Sequence, residues 1–233
     1  MRDVVGKVAV VTGGASGIGR GMAEVFGATG MKLVIADVDE ARAAETARAL
    51  EATGVEVVSV RTDVANQAEV DALARRALDA FGAVHVVCNN AGVAYGGLPT
   101  WESTLDDWKW VVGVNLMGVV HGVRTFTPIL IEQGEGHIVN TASIAGLITS
   151  AGNALYGVTK HGVVALSEAL FNELAALASN VHVSVCVQAS STPSSSALRS
   201  ATRRKLCAVS IPICTTAPKH VRCGQCWRAL CQR

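Results

Sequence analysis

The sequence predicts an α/β fold, a doubly wound parallel sheet with helices on both faces. Short apolar runs rich in β-branched residues alternate with longer segments of helical spacing from residue 5 to residue 185. A glycine-rich turn joins the first apolar run to the first helical segment. The 233 residues are enough for one sizeable domain of this kind and too few for two ordinary ones.

Six strands and five helices account for residues 5–185. The apolar runs are typical of strands buried on both faces, and right-handed crossovers between them give the doubly wound order. The predicted strands are KVAVVTGG (7–14), KLVIADVD (32–39), VEVVSVRTDV (55–64), VHVVCNNAG (84–92), GHIVNTAS (136–143) and a strand that starts with VHVSV (181–185). The predicted helices cover 17–30, 40–54, 66–82, 105–134 and 154–178, and Gly54 stops the second of them.

The composition argues against two kinds of partner. The net charge is +1 and only 17% of the residues are charged, which gives no electrostatic reason to bind nucleic acid. No run is expected to be long and apolar enough to cross a membrane. The N-terminal residues lack the charged, apolar and small-residue order of a secretion signal. We therefore expect a cytoplasmic protein with no nucleic-acid or membrane partner.

The glycine-rich turn TGGASGIG (12–19) lies directly between the first strand and the first helix. In such a turn, backbone N–H groups approach a pyrophosphate and the helix N-terminus favours its negative charge. This predicts a dinucleotide site; the alternative is a tight turn without a ligand. The residues predicted to form it are Gly13, Ser16, Gly17, Ile18 and Gly19.

Asp37 closes the second strand, about 20 residues after the glycine-rich turn. A carboxylate at this separation can bond the adenosine ribose hydroxyls. The same carboxylate would repel a 2′-phosphate, and no Arg or Lys precedes Gly17 in the turn to pair with one. NAD is therefore predicted as the cofactor in preference to NADP. The alternative for Asp37 is a turn residue at the strand end.

Two further strand ends are predicted to meet the cofactor. Asp63, followed by Val64, could bond the adenine amino group, or it could cap the next helix. In NNAG (89–92), the small residues Ala91 and Gly92 would let backbone meet the cofactor, while the asparagines Asn89 and Asn90 tie neighbouring strands. All these positions lie at carboxyl strand ends, where open α/β sheets bind ligands.

The predicted chemistry rests on Tyr156 and Lys160, four residues apart and hence on one face of a helix. An ammonium near a phenol favours the phenolate, which can take a proton from an alcohol. Ser143 ends the fifth strand and could bond a substrate oxygen, or it could be a cap or turn serine. Asn115 lies in mid-helix, where asparagine has poor propensity, and this indicates a role such as holding a water or bending the helix.

Taken together, these motifs resemble the classical short-chain dehydrogenase/reductase family over residues 5–185. The resemblance implies a Rossmann fold and an NAD(P)-dependent oxidoreductase, which transfers a hydride reversibly between a secondary alcohol or ketone and the nicotinamide. It implies that Tyr156 is the general acid/base and that Ser143 polarises the substrate oxygen. Lys160 would bind the nicotinamide ribose, and Asn115 would hold a water in a proton relay. Family members are usually dimers or tetramers joined through two long helices, here about 103–130 and 155–178.

Several other residues are expected to be structural. His121 and His161 are expected to lie in the core or at an interface, and Cys88 to be a buried strand residue. Three tryptophans are expected to pack at a helix start rather than to bind substrate; they are Trp101, Trp108 and Trp110.

The sequence changes character at about Val185. Residues 1–185 hold 12 Lys and Arg and 19 Asp and Glu, whereas residues 186–233 hold 8 Lys and Arg and no acid. Six of the seven cysteines and one of the 23 glycines lie in this tail. A shift of one base at Val185 permits L-C-P-G-F-V-N-T, which is how a short-chain dehydrogenase typically continues. The hypothesis is therefore that residues 186–233 form an out-of-frame tail without an independent fold, and that the C-terminal part of the fold is missing.

The alternative is a genuine tail. His220, Cys223, Cys226 and Cys231 have zinc-like spacing, but the frame argument leads us to predict no metal site. The first function hypothesis is an NAD-dependent dehydrogenase or reductase of a small alcohol or ketone, expected to be a homodimer or homotetramer with a native C-terminus. The second is a catalytically impaired dinucleotide-binding remnant or a zinc-tailed, non-enzymatic protein.

Overall fold

The computed structural model describes residues 3–177, 180–188 and 213–216. Its strands are β1 (Val8–Thr12), β2 (Lys32–Asp37), β3 (Val57–Arg61), β4 (Val86–Asn89), β5 (Gly136–Ser143), β6 (Val181–Gln188) and β7 (Ile213–Thr216). Its α-helices are α1 (Gly17–Ala28), α2 (Glu40–Glu51), α3 (Gln67–Phe81), α4 (Leu105–Val112), α5 (Gly118–Gln133) and α6 (Ala154–Ala176).

The strands form one parallel sheet in the order β3-β2-β1-β4-β5-β6-β7. The chain moves outward from β1 to β3 and then restarts at β4 on the other side of β1. This reversal is the topological switch point of a doubly wound sheet. The predicted fold class is therefore confirmed, and the cleft of the switch point lies between the carboxyl ends of β1 and β4.

Both faces of the sheet are covered by helices. On one face, α1 and α2 pack over the central strands through buried side chains such as Met22, Phe26 and Leu50. On the other face, α3, α5 and α6 pack through Leu73, Phe126 and other apolar side chains. The strands are buried on both faces, which is why their sequences are continuous apolar runs.

A five-residue π-helical turn, Gly113–Met117, joins α4 to α5. The result is a helix from Leu105 to Gln133 that is long and apolar enough to span a membrane by length and composition, with a mean hydropathy of 1.3 in its most apolar window. The expectation that no such run exists was therefore wrong by this criterion. Phe126 and Leu130 of this helix are nevertheless buried against the sheet, and the core helix of a soluble protein passes the same test of length and composition.

The tail differs from expectation at one place. The sixth strand continues beyond Val185 to Gln188, and residues 213–216 pair with it as β7. We expected no strand from this segment. A sheet edge presents unpaired N–H and C=O groups, and a short β-branched segment can pair with them through its backbone alone. The zinc-like residues His220, Cys223, Cys226 and Cys231 lie outside the described residues.

The amino ends of the strands hold a cluster of titratable side chains, which we call the amino-edge cluster: Lys7, His85, Glu135, His137 and His182. Lys7 Nζ forms an ion pair with Glu135, and His85 Nε2 lies 3.7 Å from the same carboxylate. Val8 N donates to His85 Nδ1 at 3.1 Å. His137 Nε2 lies 2.8 Å from Ser184 Oγ, and its ring faces that of His182 edge-on at 6.1 Å.

Candidate functional site

A cleft of about 1390 Å³ opens at the carboxyl edge of the sheet, around the switch point. Most of the predicted site residues line it, namely Gly13, Ser16, Gly17, Ile18, Asp37, Asp63, Val64, Ala91, Gly92, Ser143, Tyr156 and Lys160. Three predicted residues are not among its lining residues: Gly19, Asn89 and Asn115. The cleft therefore gathers residues that are far apart in sequence but lie at adjacent strand ends.

The glycine-rich turn forms one end of the cleft. Gly17 has φ +53°, and a Cβ built there meets nothing within 4 Å, so the backbone faces open space. At Gly19, a Cβ would lie 2.1 Å from the Gly13 carbonyl oxygen, which only glycine avoids. Ser16 is the N-cap of α1, yet its side chain makes no capping bond. The first N–H groups of α1 have no partner within the helix, so this end of the cleft offers hydrogen-bond donors to an anion.

Two aspartates line the wall beside the turn. The Asp37 carboxylate accepts from Ala15 N and from Asp39 N, both at 3.1 Å, and so fixes the turn to the end of β2. Asp63 Oδ1 accepts from Ala65 N at 3.0 Å. Asp63 does not cap the following helix, which was its alternative role, because Asn66 is the N-cap of α3. Both carboxylates keep unused lone pairs, which a hydroxyl or amino group could bond.

The asparagines at the end of β4 tie three strands together, as the sequence suggested. Asn90 Nδ2 donates to Thr12 O at 3.0 Å, and Asn90 Oδ1 accepts from Thr141 Oγ1 at 3.3 Å. Asn89 Nδ2 donates to Asn140 Oδ1 at 2.8 Å below the floor of the cleft. Asn89 Oδ1 makes no hydrogen bond and lies against Gly122 of α5, where a Cβ would come within 1.9 Å of it.

Lys160 is 3% exposed and lines the same cleft as the glycine-rich turn. Its Nζ donates to Thr141 O at 2.9 Å and lies 5.7 Å from the centre of the Tyr156 ring. Burial lowers the pKa of Lys160 to about 8, partly offset by Cys186. The predicted pair thus forms: a buried amine beside a half-buried phenol, on one face of α6.

Asn115 lies in the π-helical turn and is fully buried. Its Oδ1 accepts from Val93 N at 2.7 Å and its Nδ2 donates to Val93 O at 2.9 Å. Asn115 therefore occurs where the long helix departs from α geometry, as the helix-bending interpretation anticipated. A Cβ on Gly92 would lie 3.2 Å from Asn115 Oδ1 and 3.6 Å from Lys160 Nζ, so the missing side chain leaves space between these two groups.

Ser143 ends β5 beside the phenol. Its Oγ accepts from Ala145 N at 3.3 Å, which makes it the cap of the 3₁₀ turn Ile144–Gly146. It also donates to Gln188 O at 3.4 Å. The cap alternative is thus realised, but Ser143 still lines the cleft and its hydroxyl can change partner.

Sequence reasoning missed three contributors to the site. Thr12 Oγ1 donates to Cys88 O at 3.1 Å and accepts from Asn90 N and Ala91 N. The Thr141 carbonyl receives Lys160, and the Val93 backbone receives Asn115. The position of Thr12 at the start of the glycine motif was a usable signal, whereas backbone partners leave no mark in a sequence.

The other sequence predictions have mixed outcomes. His121 is buried, with Nδ1 2.8 Å from Val64 O, and Cys88 is fully buried. Trp108 packs at the start of α4, where its Nε1 donates to Ser103 Oγ at 3.0 Å. Trp110 instead lines the cleft and Trp101 is 85% exposed, so the packing prediction was wrong for these two.

Fold and cleft together define an α/β protein with a nucleotide-type site at the switch point of a doubly wound sheet. The model of the short chain dehydrogenase family matches residues 7–202, and the chain belongs to this family. Its sheet is the Rossmann-type sheet expected from the resemblance.

Individual relatives agree with this assignment. A short-chain dehydrogenase/reductase from Burkholderia phymatum, solved in complex with NAD, is 45% identical with a TM-score of 0.80; the match covers 100% of this chain and 82% of that one. SadH of Mycobacterium tuberculosis is 42% identical over 174 residues, covering 75% of this chain and 63% of that protein. A CLA biosynthesis dehydrogenase/reductase from Lactiplantibacillus plantarum is 38% identical over 175 residues, covering 75% of this chain and 61% of that protein. The chain thus matches about three fifths of the length of these two curated relatives.

Proposed function

We propose that the protein is an NAD(P)-dependent oxidoreductase of the short-chain type, acting on a small secondary alcohol or ketone. One observation carries the proposal. A phenol with a buried amine beside it, Tyr156 and Lys160, shares a single cleft with a glycine-rich helix N-terminus. Such a cleft can hold an anionic dinucleotide at one end and a reacting alcohol at the other.

The residues present fit a dinucleotide. The turn at Gly17 leaves open space that a side chain would fill, and its helix N-terminus favours a pyrophosphate. Asp37 lines the wall where ribose hydroxyls would bond, and this negative charge favours NAD over NADP. The bound nicotinamide supplies the hydride acceptor or donor. The Burkholderia relative solved with NAD supports this choice.

The proton is handled by this chain's own side chains. Tyr156 Oη takes the alcohol proton in oxidation and returns it in reduction. Lys160, fixed by Thr141 O, stabilises the phenolate by its charge. The Ser143 hydroxyl bonds the substrate oxygen once it releases Gln188 O. The space bounded by Gly92, Asn115 and Lys160 is where a water would pass the proton onward.

A second candidate is dinucleotide binding without turnover. The observation that favours it is the bond from Ser143 Oγ to Gln188 O, which engages the hydroxyl that the reaction needs. This second candidate belongs with our proposal about the tail. We propose that residues 1–185 form the dinucleotide-binding and catalytic domain and that residues 186–233 are translated out of frame. The abrupt change of composition after Val185 supports that boundary. Sequencing the encoding DNA across Val185–Pro193 tests it, and finding the frame as given overturns it.

The partners and setting are also proposals. We infer a small-molecule alcohol or ketone substrate, a homodimer or homotetramer joined through the α4–α5 and α6 helices, and a cytoplasmic location. Leu105, Met117 and Val158 are exposed apolar residues on these helices, which supports the assembly proposal.

Two measurements on the full chain test the proposed function. NADH and NADPH are titrated by calorimetry, and turnover is then followed with NAD and a panel of secondary alcohols. We expect NADH to bind more tightly than NADPH, and Tyr156→Phe to bind NADH normally while turnover falls by about 100-fold or more. Binding without turnover in the unmodified chain selects the second candidate. No binding of either dinucleotide overturns both.

A further inference from the structure

Part of the cleft lining has a composition of its own. Outside the turn, the strand ends and the catalytic residues, the described lining includes two aromatic rings, Tyr95 and Trp110. The aliphatic side chains of Ile144 and Ile148 also line it. None of the described residues in this part of the lining is acidic, and its one basic residue, Lys109, is paired with Asp106 at 2.9 Å. We call Tyr95, Trp110, Ile144 and Ile148 the ring wall.

The loop that carries Tyr95 is held near both of its ends. At its start, both backbone polar groups of Val93 are bonded by the Asn115 side chain, at 2.7 and 2.9 Å. At its end, Gly97 N donates to Gly152 O at 2.8 Å, which ties the loop to the segment leading into α6. Gly96 also packs closely here, since a Cβ on it would lie 3.2 Å from Gly152 O. The loop is thus anchored to the helix that bears Asn115 and to the segment that precedes Tyr156.

Tyr95 itself is anchored through its hydroxyl group. The hydroxyl interacts with the Asp107 carboxylate at the start of α4, whose pKa is lowered first by Thr104 and then by Tyr95. Asp107 is fixed in turn by a capping box, because its Oδ2 accepts from Thr104 N at 2.9 Å and from Thr104 Oγ1 at 2.7 Å. Burial, followed by the bond to Asp107, raises the pKa of Tyr95, so the hydroxyl stays a donor. The bond fixes one end of the ring while the rest of the side chain lines the cleft.

The tryptophans of this region supply a contrast. Trp110 is 51% exposed and lines the cleft, whereas Trp101 is 85% exposed and does not. Large exposed aromatic side chains lose much unfavourable water contact when a flat apolar group covers them. Of these two tryptophans, Trp110 is the one that a molecule bound in the cleft can cover.

We propose that the ring wall makes the site selective for an uncharged, ring-bearing ketone or secondary alcohol, with Tyr95 and Trp110 as specificity-determining residues. Asp107 is a positioning residue that acts through Tyr95. This inference rests on the proposed function, because it concerns the substrate end of the same cleft.

The test measures binding, so that it does not depend on turnover. Acetophenone and 2-butanone, two methyl ketones that differ in the ring, are titrated into the full chain by calorimetry, with and without NADH. We expect acetophenone to bind about tenfold more tightly, as burial of the extra apolar surface predicts. Trp110→Ala should remove most of this preference and Trp101→Ala none of it. If Trp110→Ala unfolds, Trp110→Leu takes its place.

Two further variants test the positioning role of Asp107. Tyr95→Phe keeps the ring but loses its anchor, and Asp107→Asn weakens the same bond. Each should reduce the acetophenone preference by about threefold, and the double variant should reduce it no further, because both act on one interaction. The 2-butanone affinity should not change in any of the three, which a general loss of structure would not spare.

The outcomes separate the two proposals. Equal affinities for the two ketones, or equal losses in Trp110→Ala and Trp101→Ala, overturn the ring-wall inference. If the ring preference is present but NADH does not bind, the inference stands and the proposed function fails. If NADH binds and the ring preference is absent, only the inference fails.

Discussion

The two ends of the same parallel strands carry opposite kinds of polar chemistry. At the carboxyl edge, uncharged groups such as Thr12 and Asn90 hold the strands together and leave an open cleft. At the amino edge, the residues of the amino-edge cluster pair largely with one another, and none of them lines the described cleft. The carboxyl edge is therefore the less stable of the two. It keeps a buried amine, Lys160, and a buried acceptor without a hydrogen bond, Asn89 Oδ1, whereas the charged groups of the amino edge pair with neighbouring side chains.

The largest effect on stability and on NADH binding is expected from adding a side chain at Gly19, in the turn at the carboxyl edge. In Gly19→Ala the new Cβ would lie 2.1 Å from the Gly13 carbonyl oxygen, so the turn must move. We expect a loss of about 3 kcal/mol in the free energy of unfolding, together with loss of detectable NADH binding. Denaturant unfolding and calorimetric titration measure the two.

Gly21→Ala is the matched control in the same helix. A Cβ there meets nothing within 4 Å. The free energy of unfolding of this variant should rise by about 0.5–1 kcal/mol, and the variant should bind NADH as the parent does. If the two alanine variants behave alike, the close approach at Gly19 does not shape the cleft.

A smaller effect is expected at Lys160, in the opposite direction for stability. Lys160→Met removes a buried charge and should raise the free energy of unfolding by about 1–3 kcal/mol near pH 7 while weakening NADH binding. The folded pKa of Lys160 is about 8, below its ordinary value of 10.5. As the pH rises from about 8 to about 10.5, the parent chain sheds this charge in the folded state but not in the unfolded state. The parent therefore gains stability over that window and the difference between the two chains should shrink. Thermal melts of both chains across the window measure this difference in stability. A difference that stays constant with pH would contradict the cost that we assign to burying the Lys160 charge.

The smallest effect near neutral pH is expected at the amino edge, where His137 affects stability only on acidification. Burial, with a contribution from the charge of His182, lowers the folded pKa of His137 to about 4, from an ordinary value of 6.5. A depressed pKa gives stability that is present above about pH 6.5 and is lost as the pH falls toward about 4, because only the unfolded state takes up the proton. We expect a loss of about 1 kcal/mol for each pH unit over this window, or about 3 kcal/mol in all.

His137→Gln should flatten that pH profile while keeping a bond to Ser184 Oγ. The groups near His137 also titrate, since the pKa values of His85 and His182 are lowered by burial and that of Glu135 by its bond to Lys7. His182→Gln, at an exposed position on the next strand, is the control and should leave most of the slope. Denaturant unfolding at a series of pH values measures this, and identical slopes in the parent and His137→Gln would refute the assignment.

Much of the carboxyl edge could be read from the sequence, because its side chains come in motifs fixed to strand ends. β5 was predicted at its observed bounds, and the Tyr156–Lys160 pair followed from helical spacing. The amino-edge cluster was not foreseen. His137 and His182 stand singly in β5 and β6, and His85 comes just before β4, so only strand register brings the three together. Trp110 was misassigned because a helix start gives no indication of which side faces a cleft. The pairing of β7 depends on backbone groups, which a residue pattern does not encode.

The π-helical turn at Gly113–Met117 has a consequence for how this chain tolerates insertions and deletions. Such a turn accommodates one residue more than regular helix would. A regular helix turns by about 100° for each residue, so losing or gaining a residue within α4 or α5 would turn Trp110 relative to Phe126 and Leu130. Either the two apolar side chains would leave the sheet, or Trp110 would leave the cleft. Removing the extra residue of the π-helical turn would instead restore a regular helix with almost the same phase. A change of one residue in length should therefore be tolerated for orientation at this turn and not in the regular helix on either side.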